Sequence, residues 1–173
     1  MNSKMRRILT FLPLLLATEL AQADTLPQLY VSSYTLGGSP VEVILSMAGL
    51  GDDAPSVSSY DLNFNFDPSQ FSFKQAVFGD QLKGNQLDIF HIGTNLTSAS
   101  VISPGVLNLF ELSLDSAELL NDLQADSFNL VTLSFDVLRL GTGEMSISIN
   151  ALADADGNPL AVETWPIGIT TVP

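Results

Sequence analysis

The chain has 173 residues, with 19 acidic residues against six Lys and Arg, which gives a formal net charge of −13. This balance argues against nucleic acid as a partner, because binding to phosphates depends on cationic side chains, and it disfavours anionic membrane surfaces for the same reason. Cysteine is absent, so disulfides, a Cys-His nucleophile and zinc clusters of mixed Cys and His are excluded.

The N-terminal residues have the pattern of a secretory signal peptide. A basic start is followed by a short apolar run at residues 8–17 and by an A-x-A motif at residues 21–23, which is the order that export signals show. A membrane anchor is the alternative, but spanning a bilayer takes about 18 or more apolar residues and a proline interrupts this shorter run. We therefore predict a signal peptide over residues 1–23 and one domain over residues 24–173, secreted or held at the cell surface without membrane insertion.

Alternation of apolar and polar residues recurs along the exported part of the chain. This period of two is typical of strands that bury one face and expose the other, and clusters of Gly, Pro, Asp and Ser separate the segments. The spacing predicts an all-β antiparallel sandwich. Five strands are predicted, at residues 41–47, 60–66, 106–114, 129–137 and 145–149.

The second of these strands has the clearest pattern. Its apolar residues are Tyr60, Leu62, Phe64 and Phe66, and its polar residues are Asp61, Asn63 and Asn65. Successive side chains of a strand point to opposite faces, so we expect the apolar set in the core and the polar set on the surface. Asp67-Pro68 is predicted to end the strand, because proline has no N–H for the ladder.

One short helix is predicted before residue 126. Asp115 can cap its N-terminus, with Glu118 three residues on as in a capping box, and Leu119, Leu120 and Leu123 form its inward face. Residues 83–103 are polar and less regular, so we predict a long connection with one edge strand.

The sequence offers little for catalysis. His91 is the only histidine, and a lone histidine in a polar loop is far more often a bystander than a catalyst. There is no G-x-S-x-G elbow to present a nucleophile. Sugar hydrolysis needs only two carboxylates about 5 to 10 Å apart, and the many acidic residues of this chain could include such a pair. We nevertheless predict that the protein is not an enzyme.

Asp154, Asp156 and Asn158 surround Gly157 in a D-x-D-G-N pattern. Hard oxygen ligands that alternate on a tight turn suit Ca²⁺, although the distal Glu of a complete EF-hand loop is missing. A hairpin turn explains the same residues without an ion. The pattern therefore has two interpretations, a Ca²⁺ site and a hairpin turn. No other cofactor is predicted.

Carbohydrate binding would use exposed aromatic rings on which sugar faces stack. The candidates are Trp165, Tyr30 and Tyr34, because most of the ten Phe lie on apolar strand faces where core packing is expected. Trp165 precedes a proline near the last strand, so a capping or core role is its alternative.

The stretch around the second predicted strand also resembles the cohesin modules of bacterial scaffold proteins. The matching residues are Val57, Asp61-Leu62, Phe66-Asp67-Pro68, Val77 and Gly79-Asp80-Gln81-Leu82. The resemblance implies a jelly-roll sandwich in which one sheet face docks a dockerin, a small calcium-loaded helical module. It places Asp61 on that face, with Ser59, Asn63 and Asn65 beside it; Ser59 stands where the family often has Asn. A merely solvated face is the alternative.

The C-terminus resembles part of a second pattern. Bacterial exported proteins of the PEP-CTERM type carry a Val-Pro followed by a sorting tail linked to exopolysaccharide production, and this chain ends at Val172-Pro173. The resemblance suggests a tail-less relative that is released, and a chance ending is the alternative. The expected function is thus a secreted, non-catalytic module that docks a protein partner in an extracellular polysaccharide context. The alternative is a carbohydrate-binding module that holds matrix polysaccharide.

Overall fold

The computed structural model describes residues 26–34, 40–51, 55–93, 95–165 and 167–171. The predicted signal peptide and the Val-Pro ending lie outside the described residues, as do the side chains of Tyr34 and Trp165. The elements are β1 (Gln28–Tyr34), β2 (Val41–Ala48), β3 (Val57–Asn65), β4 (Phe71–Phe78), β5 (Asn95–Ser103), β6 (Val106–Ser113), α1 (Ala117–Leu123), β7 (Ser127–Val137), β8 (Gly141–Asp154), β9 (Glu163–Trp165) and β10 (Ile167–Thr171).

The strands form two five-stranded sheets. The first sheet has the order β4-β7-β2-β1-β9, and the second has the order β10-β8-β3-β6-β5. In the described part of the chain, all neighbouring strands pair antiparallel except β1 and β9, which are parallel. The predicted all-β jelly-roll sandwich with one short helix is confirmed.

Burial follows the period of two that the sequence shows. On β3, Tyr60, Leu62 and Phe64 are at most 1% exposed, whereas the intervening Asp61 and Asn63 are half-buried. Side chains that face inward from both sheets form one core between them. The predicted division of this strand is therefore confirmed.

Phe135 on β7 lies at the centre of an aromatic cluster. Its ring centroid is 5.7 Å from that of Phe64, 5.0 Å from that of Phe66, 6.4 Å from that of Phe71 and 5.9 Å from that of Phe73. Tilted and edge-to-face arrangements at such distances are favourable for aromatic rings. This cluster ties β3 of the second sheet to β4 and β7 of the first.

The N-cap of the helix lies one residue later than predicted. Ser116, and not Asp115, is the N-cap, since its hydroxyl accepts the N–H of Leu119 at 3.2 Å. The Asp115 carboxylate instead accepts the N–H of Ile89 at 2.8 Å. Leu120 is buried but Leu123 is 54% exposed, so the inward face is narrower than predicted.

The connection before β5 is a series of turns, and β5 is the edge strand predicted for this region. Asp88, which is 6% exposed, organises the end of the connection by accepting the N–H groups of Ile92 and Gly93 at 3.1 and 2.8 Å. The described residues include no helix with the length and apolar character needed to cross a membrane.

Candidate functional site

The candidate site is the outer face of the second sheet, where β8, β3, β6 and β5 lie side by side. Ser59, Asp61, Asn63 and Asn65 alternate along β3 with its buried residues, and all four are half-buried. The structure therefore brings the four predicted residues together in one row on one face.

Asp61 is held by amides from both neighbouring strands. Its Oδ1 accepts the side-chain N–H of Asn108 on β6 at 2.6 Å and that of Asn150 on β8 at 2.9 Å. Asn150 reaches this face because β8 is irregular here: Asp61 pairs with Ala151, whereas Leu62 pairs with Ile149. The extra residue of such a bulge is free to point its side chain across the sheet.

Further hydrogen bonds between side chains continue this pattern along β3. Asn63 Oδ1 accepts from Asn108 at 3.1 Å, and its own amide donates to Asn150 Oδ1 at 3.2 Å. Further along, Asn65 donates to the hydroxyl of Ser148 at 3.1 Å. We call the six residues that these bonds join the polar ladder: Asp61, Asn63, Asn65, Asn108, Ser148 and Asn150.

An apolar region borders the polar ladder on the β6 and β5 side. Phe110 pairs with Asp61 across the sheet, and Leu112 pairs with Ser59 on one side and with Leu96 of β5 on the other. Phe110 and Leu112 are half-buried and Leu96 is 54% exposed. We call these three residues the apolar flank. The face thus combines fixed polar groups with exposed hydrocarbon.

The charge on this face is negative. After residue 23 the chain has three cationic side chains, Lys74, Lys83 and Arg139, and none belongs to β3, β5, β6 or β8. Lys74 on β4 forms an ion pair with Asp136 at 3.3 Å, and the ammonium of Lys83 donates to the carbonyl oxygen of Ser127. The Asp61 carboxylate therefore has amide partners, and in the described part of the chain neither Lys74 nor Lys83 pairs with it.

A second polar cluster lies beneath the face and was missed by sequence reasoning. Glu111 on β6 is fully buried and accepts the hydroxyl of Tyr60 at 2.8 Å and the amides of Asn85 and Asn95 at 2.6 Å each. Burial raises the pKa of Glu111, and these three donors offset only part of that effect. Burial, together with the nearby Glu111 charge, raises the pKa of Tyr60 well above its usual value.

Glu111 occupies an inward position of β6, next in register after Leu107 and Leu109. A glutamate at a position where alternation demands an apolar residue is the signal that could have revealed the cluster. Since Glu111 is enclosed, we assign it to holding the connection before β5 against the sandwich.

The D-x-D-G-N pattern forms a turn after β8. Asp154 Oδ1 accepts the backbone N–H groups of Asp156 and Asn158 at 2.9 and 2.8 Å, and its Oδ2 accepts the Asn158 amide at 3.3 Å. Gly157 has a φ of +82° that suits such a turn. These contacts agree with the interpretation of the pattern as a hairpin turn. Among the described residues, no three or more His, Asp or Glu are grouped so that they could hold a metal ion.

The carbohydrate candidates lie away from this face. Tyr30 is half-buried on β1 of the first sheet, where its backbone pairs with that of Trp165 on β9. Tyr34 ends β1, and its side chain, like that of Trp165, lies outside the described residues.

One cavity, with a volume of about 220 Å³, opens between the two sheets near the ends of β3 and β5. It is lined by Phe66, Pro68, Phe71, Ser72, Phe73, Val101, Pro104, Gly105 and Leu138. None of the described residues that line this space has a titratable side chain.

No family model and no curated protein matches the chain, but its structure is similar to solved cohesins. A non-cellulosomal cohesin from Archaeoglobus fulgidus has 17% identity and a TM-score of 0.63, over 86% of this chain and 93% of that chain. The cohesin of a type I cohesin–dockerin complex from Clostridium thermocellum has 16% identity and a TM-score of 0.66, over 86% and 100%. A type II cohesin from Acetivibrio cellulolyticus has 13% identity and a TM-score of 0.64, over 83% and 95%. The fold is cohesin-like.

Proposed function

We propose that the protein is a secreted, non-catalytic, cohesin-like module that docks a protein partner on the polar ladder and apolar flank. The observation that carries this proposal is the hydrogen bonding of Asp61 to Asn108 and Asn150. A surface whose side chains are already fixed loses less conformational entropy when a partner binds.

The composition of the face supports a protein partner. Side chains of the apolar flank offer hydrocarbon that a partner can cover, while the ladder supplies acceptors and donors at fixed positions to set the orientation. A carboxylate such as that of Asp61 favours a partner with a basic or amide-bearing surface. Among the similar structures, the Clostridium thermocellum cohesin is in complex with a dockerin, so a dockerin-like helical module is the first partner to test.

The context that we propose is extracellular polysaccharide. Export by the predicted signal peptide over residues 1–23 supports it. A binding module in such a matrix would connect proteins to one another or to the glycan.

The proposal is tested by capture from the secreted and envelope fractions of the source organism, with residues 24–173 as bait, with and without Ca²⁺. Asp61→Lys is compared with Asp122→Lys, which makes the same charge change at an exposed residue of α1, away from the face. We expect a protein that wild type and Asp122→Lys capture and Asp61→Lys does not. Equal capture by all three proteins, or turnover of a glycan by the pure protein, would contradict the proposal.

Polysaccharide binding is the second candidate function. It is supported by the pairing of Tyr30 with Trp165 on adjacent strands, which brings two of the three aromatic candidates to one edge of the first sheet. Capture of glycan by wild type and by Asp61→Lys, but not by a Tyr30→Ala, Trp165→Ala variant, would favour this function over protein docking.

A further inference from the structure

The edges of the two sheets differ in how they are protected from pairing with another chain. Exposed edge strands are usually kept from pairing by charges, bulges or short length. In the described residues, the edge strand β4 has Lys74 and a bulge between Phe73 and Gln75. The edge strands β9 and β10 have only three and five residues.

The fourth edge strand, β5, has none of these features over most of its length. It has nine residues, Asn95–Ser103, with no charged residue and no proline. Leu96, Val101 and Ile102 are 54%, 51% and 58% exposed. A bulge lies at Ile102, next to the turn that leads to β6, and leaves residues 95–101 in regular pairing. This edge is therefore open to a further strand.

The sequence of β5 is complementary to itself when two copies run antiparallel with Ala99 at the centre. Directly opposite residues of an antiparallel pair stabilise it when their side chains match. Within the regularly paired residues 95–101, the opposed pairs in this register are Ser98 with Ser100 and Thr97 with Val101. Small residues face small residues, and two β-branched residues face each other.

The distribution of charge also favours this edge for contact between two copies. A protein with a net charge of −13 repels its own kind over most of its surface. Because β5 has no carboxylate, the strand itself adds no repulsion between like charges when two copies approach there. A contact of this kind is isologous and closes as a dimer.

We propose that this chain forms a symmetric homodimer in which two β5 strands pair antiparallel about Ala99. The second sheets of the two copies then become one continuous sheet. Opposed residues of paired strands point to the same side, so both polar ladders face the same way. The dimer therefore presents two docking faces in one plane, and its formation does not depend on what those faces bind.

The test is sedimentation velocity of residues 24–173 over a range of concentration. A Ser98→Lys, Ser100→Lys variant puts like charges directly opposite each other twice in this register, and a Ser98→Glu, Ser100→Glu variant does the same with negative charges. We expect a wild-type dimer whose dissociation constant rises about tenfold or more in either variant. An equimolar mixture of the two variants restores the dimer. The matched control, Ser72→Lys with Gln75→Lys on the exposed face of β4, stays dimeric.

A monomeric wild-type protein, a dimer that both variants retain, or a mixture that fails to pair would each overturn the proposal. Circular dichroism checks that the variants fold. If one does not fold, amide hydrogen exchange in the wild-type protein decides: protection of β5 that rises with protein concentration supports the dimer. Protection that is the same at all concentrations overturns it.

Discussion

Replacing Glu111 by Ala removes at once the acceptor of one buried donor and of two half-buried donors. The hydroxyl of Tyr60 and the amides of Asn85 and Asn95 all donate to this carboxylate, at 2.6 to 2.8 Å. A buried donor without a partner costs about 1 to 3 kcal/mol. Some water will enter the space that the side chain leaves, so we expect the lower end for each donor and a loss of about 3 to 5 kcal/mol in the free energy of unfolding.

A more conservative change separates charge from hydrogen bonding. In Glu111→Gln, one amide oxygen still accepts from Asn85 and Asn95, and only the Tyr60 hydroxyl meets a donor. Because burial raises the pKa of Glu111 in the folded protein, its contribution to stability is fully present below the unfolded pKa of about 4.3 and is lost as the pH rises through the folded pKa. The free energy of unfolding of wild type minus that of Glu111→Gln is thus largest at acid pH and falls towards neutral pH.

The assay is urea unfolding of dilute protein from pH 4 to pH 8, followed by tyrosine and tryptophan fluorescence. Tyr60→Phe and the double variant Tyr60→Phe, Glu111→Gln complete a cycle that isolates the Tyr60–Glu111 hydrogen bond. A loss below about 1 kcal/mol in Glu111→Ala would refute the reasoning. The reasoning would also be refuted if the free energy of unfolding of wild type minus that of Glu111→Gln stayed constant or increased as the pH rises.

Three further predictions concern single sites and are checked by the same unfolding assay. Phe135→Ala removes the centre of the aromatic cluster and is expected to cost about 3 to 5 kcal/mol, whereas Phe90→Ala, at a ring that is 61% exposed, costs little; similar losses would contradict the packing argument. Gly105→Ala costs more than Gly157→Ala although both have positive φ, because a Cβ at Gly105 would lie 2.5 Å from a backbone carbonyl oxygen while the one at Gly157 meets no atom within 4 Å. Partial burial favours protonation of Asp80, but backbone N–H donors outweigh it and lower its pKa, so Asp80→Asn destabilises at neutral pH and this loss disappears as the pH falls through the folded pKa; a loss that is independent of pH would contradict the prediction.

Strand positions could be predicted because alternation directly reports burial. Along β3, half-buried and buried residues alternate from Ser59 to Asn65. The aromatic-Asp-Pro motif follows directly, because proline cannot continue the strand. The row of Ser59, Asp61, Asn63 and Asn65 follows from the same period, so the part of the candidate site that lies on β3 could be predicted before any tertiary contact was known.

The partners of Asp61 could not be predicted, because they depend on register. Asn150 reaches the face through an irregularity in the pairing of β3 with β8, and a one-residue change in register moves a side chain to the opposite face. The helix cap was mispredicted for a related reason. Asp115 and Ser116 are both good caps, and the contact that draws Asp115 to Ile89 comes from a segment distant in sequence.

The parallel pairing of β1 with β9 has a consequence for how the chain acquires its structure. Gln28 of the first described strand pairs with Glu163, near the end of the chain, and β10 then completes the opposite sheet against β8. Pairing of residues so distant in sequence slows folding, because a long loop must close before the contact forms. A nascent polypeptide lacks the last partners of both sheets until the residues of β9 and β10 have left the ribosome. The sandwich can therefore be completed only after residue 171 has emerged, and a chain that stops before residue 163 leaves β1 with an unpaired edge.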